Sequence, residues 1–167
     1  MIVRTTSDPA TFKELVFPFL QRDPVLNTVI LSNTADRVHG ILADPEPPVF
    51  VSVHDGDEMV GAVLSTALRG INLGSLPIDL VPVVVDPLAG ASPRSIGVSG
   101  PADAACAFAE LYAERTGRSC RESERSRLHK LDQFVEQTTD LANPTSNKIY
   151  AAIGYRPIQD FVDYAFA

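Results

Sequence analysis

Glu110, Glu122, Glu124, His129 and Asp140 are the candidates in this sequence for a general base. A carboxylate or an imidazole can take a proton from an incoming nucleophile when it lies within hydrogen-bond reach. None of the five sits in a recognisable motif. The sequence has no Ser-His-Asp spacing, no Gly-x-Ser-x-Gly elbow, no metal-ligand cluster and no nucleoside-triphosphate loop. His129, beside Leu128, reads as a half-buried strand residue, and His39 and His54 read as surface residues. Cys106 and Cys120 are the only cysteines, which makes neither a metal site nor a disulfide scaffold. Cys106, among alanines and Phe108, reads as a small core residue.

The whole composition narrows the setting in which such a base would work. The 167 residues suit one domain, and an apolar share of 45% fits a folded chain. A net charge of −7 argues against generic nucleic-acid binding and suits a cationic partner such as an amine. No window approaches the roughly 18 consecutive apolar residues of a membrane helix, so no membrane association is expected. The start, Met1 to Thr6, lacks the basic and apolar regions of a secretory signal, and a cytoplasmic location is expected. Abundant Ala, with Arg favoured over Lys, suggests a GC-rich bacterial source.

The elements that must position any site read as an α/β chain. Met1 to Thr6 is an edge-strand candidate. Asp8-Pro9 starts a helix, with Asp as cap and Pro at the first position, and Pro18 should kink or shorten it. Asp23-Pro24 starts a second helix, whose stripe runs through Val38, Ile41 and Leu42. Val49 to His54 and Met59 to Thr66 are strands joined by the turn Asp55-Gly56-Asp57-Glu58. Ile71 to Leu73 is a short strand, and Pro77 to Val85 fits either a helix or a buried strand. A helix begins near Pro101 and stops at Gly117. Ser119 to Phe134 reads as a long strand with Leu128 and Leu131 inward, Asn147 to Ile153 as the last helix, and Arg156 to Phe166 as the last strand.

The closing segment carries a resemblance. Thr139-Asp140-Leu141-Ala142-Asn143-Pro144-Thr145-Ser146-Asn147-Lys148-Ile149-Tyr150, followed by Gly154-Tyr155-Arg156-Pro157, resembles the end of the GNAT family of acetyl-CoA-dependent N-acetyltransferases. Upstream, Asp57 to Ala62, Gly97 to Pro101, Thr116-Gly117 and Arg127 to Leu131 resemble the degenerate first half of tandem GNAT proteins. Residues 1–133 then match a first half and residues 138–167 the end of a second. Most of a catalytic half would be missing between Phe134 and Thr138.

The resemblance implies a single GNAT-like α/β domain with a mixed central sheet flanked by helices. It implies acetyl transfer from acetyl-CoA to the amine of a small-molecule or peptide acceptor. Tyr150 matches the position whose phenol protonates the departing CoA sulfur; it also fits the apolar face formed with Ile149 and Ile153. Asn147 matches a cofactor-contacting position, as does Asn143, and each equally suits a cap or turn. The family's phosphate loop is Arg or Gln, two residues, Gly, one residue, then Gly or Ala, with backbone N–H groups aimed at the phosphates. Arg37 to Leu42 comes near it within a helical stripe. Arg94 to Gly100 is better placed, before a helix, with Gly97, Ser99 and Gly100 as cofactor contacts; a plain strand-to-helix turn explains the same residues. The alternative from another class is an inactive GNAT-like module that binds a ligand or completes its sheet by forming a homodimer.

Overall fold

A computed structural model describes residues 1–130, 136–140 and 155–167. The elements in chain order are β1 (Ile2–Thr6), α1 (Pro9–Leu20), α2 (Thr28–Val38), β2 (Val49–Asp55), β3 (Glu58–Thr66), β4 (Gly70–Asn72), a 3₁₀ turn (Ile78–Leu80), α3 (Val81–Ala91), β5 (Gly97–Pro101), α4 (Ala102–Thr116), β6 (Cys120–Lys130), β7 (Glu136–Asp140) and β8 (Arg156–Phe166). The strands form one sheet in the order β1-β2-β3-β4-β5-β8-β6-β7. Only β4 and β5 run parallel; every other neighbouring pair is antiparallel. This is an α/β fold with a mixed sheet and helices on both faces.

Local chemistry sets several boundaries. The Asp8 carboxylate accepts from the amides of Ala10 at 3.2 Å and Thr11 at 3.0 Å, and Pro9 occupies the first turn. Pro18 lacks the amide that would continue the ladder, and α1 ends two residues later at Leu20. Gly117 ends α4 in the left-handed conformation, φ 67°. The second helical stripe stops at Val38, earlier than its apolar spacing suggests, and Ile41 is exposed. The ambiguous stretch Pro77 to Val85 is helical, a 3₁₀ turn running into α3.

Alternation along each strand sends side chains to two cores. Val51, Val53, Val63, Ile71 and Val98 pack with α3, α4 and Phe166 on one face. Phe50, Ala62 and Leu64 pack with Phe12, Val16, Leu20 and Ile30 of α1 and α2 on the other. Two sequence expectations change here. His54 is buried at 4% exposure, with Nε2 3.0 Å from Ser52 Oγ, because the strand's alternation turns it toward the α1 face. Burial, then the nearby Arg4, lowers its pKa. Cys106 is half-buried at the side of α4, its Sγ 3.8 Å from Glu110 Oε1, and is not a core residue.

Candidate functional site

On the α1–α2 face, beyond the second core, the described residues of the sheet form the floor of a cleft of about 730 Å³. One row of paired residues crosses that floor. Asn72 of β4 pairs with Ser99 of β5, and Ser99 pairs with Asp163 of β8. Asn72 Nδ2 donates to Ser99 Oγ at 3.1 Å. On the outer side of Asp163 lies a bulge in β6, where Ser123 Oγ donates to the Asp163 carbonyl at 3.0 Å and Glu124 is the paired residue. The wall is the start of α2 and the turn before it, contributing Leu26, Val29 and Asn33.

Asn27 fixes that wall. Its amide nitrogen donates to the carbonyls of Leu20 at 3.2 Å and Asp23 at 2.9 Å. Its oxygen accepts from Ser75 N at 3.1 Å and Ser75 Oγ at 3.0 Å. One buried amide thus ties the α1–α2 turn to the segment leaving β4. Asn33 Nδ2 donates to Val29 O at 2.8 Å, which holds its side chain along the cleft side of α2.

Asp163 is the only carboxylate among the described cleft residues. Burial, then the charge of Glu124, pushes its pKa above the ordinary carboxylate value. It forms no hydrogen bond or ion pair among the described residues through its carboxyl group. A carboxylate in that setting can hold an ammonium ion or take a proton from one.

The candidates from sequence fall in different places. Tyr150, Asn147 and Asn143 lie outside the described residues. Gly97 and Ser99 line the cleft, whereas Gly100 faces the opposite core, where an added Cβ would sit 2.9 Å from Leu73 Cβ. All three are strand, not the turn that their spacing suggests, and β5 passes directly into α4. Gly97 has no room for a side chain because a Cβ there would collide with the Tyr164 carbonyl. With β4 on one side and β8 on the other, the β5 backbone is engaged in ladders and does not converge on an anion.

Of the expected bases, none lines the cleft among the described residues. Glu122 is exposed and bonded to Arg125 at 2.7 Å. His129 is buried at 3% exposure with Nδ1 3.1 Å from Arg127 O. Glu110 is on α4, and Asp140 is in β7 opposite Ser126. Glu124 is next to the site through its pairing with Asp163. Asp163 itself is absent from the sequence candidates. Its signal was one charge inside the apolar run Phe161-Val162-Asp163-Tyr164-Ala165-Phe166.

Among the described residues no group of three or more His, Cys, Asp or Glu could hold a metal, and no helix is long and apolar enough to cross a membrane. No family model, curated protein or solved structure matches this chain.

Proposed function

We propose that the chain is a GNAT-like N-acetyltransferase domain whose cleft receives the acceptor amine. The observation that carries the amine assignment is Asp163, a carboxylate with raised pKa on the floor of the cleft. As an anion it attracts an ammonium group. Its raised affinity for protons then suits it to accept one, leaving the amine lone pair free to attack an acyl carbon. Acetyl-CoA would supply the thioester as co-substrate. By the resemblance, Tyr150 would return a proton to the thiolate, and Asn147 would contact the co-substrate.

One observation favours a second reading, an inactive amine-binding module. The two helices that follow the parallel strands are poorly suited to a pyrophosphate. Asp79 precedes α3, and Pro82 removes a donor from its first turn. Pro101 caps α4, and Asp103 sits in its first turn. Acidic residues there favour the helix dipole but repel phosphate.

A thermal melt with millimolar acetyl-CoA, against desulfo-CoA and ATP, separates the two. A CoA-specific rise supports the transferase; a hundredfold excess over Kd is worth about 2.7 kcal/mol. Acetyl transfer to an amine panel should then fall in Asp163→Asn and Tyr150→Phe. No CoA-specific shift from a cooperatively folded sample leaves the binding module.

A further inference from the structure

The cleft carries a second ionisable group that acetyl transfer to a simple amine does not use. Arg69 and Asp163 are the only charged residues among its described lining residues, and their charges are opposite; Tyr164 also borders it, but its side chain packs against the opposite core. Arg69 lies in the tight turn between β3 and β4, where its amide donates to Thr66 Oγ1 at 3.2 Å. The next residue, Gly70, has φ 72° and packs so closely that an added Cβ would sit 2.5 Å from the Gly97 carbonyl oxygen. The turn is therefore pinned against β5. The exposed guanidinium forms no ion pair or hydrogen bond among the described residues. Guanidinium is the side chain best matched to a carboxylate, through two parallel hydrogen bonds.

Strand pairing gives the spacing of the backbone positions that carry the two charges. Gly70 lies two residues before Asn72 on β4, and Asn72 is aligned through Ser99 with Asp163. Two strand spacings across and two residues along place the backbones of Gly70 and Asp163 about 12 Å apart. Apolar surface from Leu64, Val29 and Ile96 lines the cleft as well. We infer that the cleft binds a zwitterion whose ammonium meets Asp163 and whose carboxylate meets Arg69, with an apolar body between. ω-Amino acids and short peptides are the class that fits. This rests on reading the cleft as the acceptor-amine site, and it adds the acceptor's second charge.

The test is calorimetric titration at neutral pH without acetyl-CoA. The probes are 4-aminobutyrate, 6-aminohexanoate and glycyl-phenylalanine, with hexylamine and hexanoate as single-charge controls. At least one zwitterion should bind tenfold or more tightly than either control. Asp163→Asn should abolish that advantage, and so should Arg69→Gln. Hexylamine should respond to the first substitution and hexanoate to the second. Zwitterions that bind no better than hexylamine, or that bind Arg69→Gln as well as the parent, overturn the inference. Arg69 is exposed, so its variant should fold as the parent does. A zwitterion advantage with no response to acetyl-CoA would sink only the transferase; a CoA response with no such advantage would sink only this inference.

Discussion

Asp163 trades stability for a charge held in the cleft. Burial and Glu124 raise its pKa, so the folded chain holds that proton more tightly than the unfolded chain does. The stability linked to the proton is fully present below the unfolded pKa of about 3.9 and is lost as pH rises through the higher folded value. Asp163→Asn keeps the shape and removes the ionisation. Its melting temperature should exceed the parent's at pH 7, with the gap closing as pH falls toward 4. A variant less stable than the parent at pH 7 would mean that the carboxylate has a stabilising partner and is not poised for a ligand. Asp160, three residues earlier, behaves in the opposite sense. Its hydrogen bond from Arg127 lowers its pKa, so its contribution is present at neutral pH and lost on acidification.

At the scale of elements, the cleft depends on a turn with no regular structure of its own. Asn27 makes four hydrogen bonds at 2% exposure and spans the α1–α2 turn and the segment after β4. Asn27→Ala leaves two carbonyls and the Ser75 amide and hydroxyl without this partner. The expected cost is about 3 kcal/mol, since each unsatisfied buried group costs about 1–3 kcal/mol and partial rehydration recovers some of it. Denaturant unfolding measures this, and a loss below about 1 kcal/mol would show that water replaces the amide. The sequence made the local devices legible: the Asp8-Pro9 start, the Asp55 to Glu58 turn and the Gly117 stop each act within a few residues. It did not reveal features set by distant partners. Gly97 reads as a turn residue, yet its bare backbone answers to the Tyr164 carbonyl 67 positions away. Asp163 was hidden for the same reason, because its surroundings come from the pairing of β8 with β5 and β6. His54 reads as polar and exposed, yet it is buried at 4% exposure on the same strand face as Phe50 and Ser52.

The whole molecule is joined by its last strand. β8 lies between β5 and β6, so it links the part of the sheet built from β1 to β5 with the β6–β7 pair. The same strand sends Asp163 toward the cleft and Phe166 into the opposite core. Phe166 packs on Tyr112 at 4.6 Å between ring centres, and Arg118 lies over its ring at 5.6 Å while donating to its carbonyl at 2.9 Å. Reciprocal bonds between Ser119 and Ala167, at 3.0 and 3.1 Å, close the ladder beyond it. Removing a buried phenyl group costs about 3–5 kcal/mol, a large part of the 5–15 kcal/mol that holds a typical domain. Phe166→Ala should therefore cost about 3 kcal/mol in urea unfolding. It should also weaken zwitterion binding severalfold, although Phe166 lines the other face, because a looser β8 no longer holds Asp163 in line with Ser99. If stability falls and affinity does not, the ladders to β5 and β6 position the carboxylate unaided, and the aromatic core serves only to keep the sheet folded.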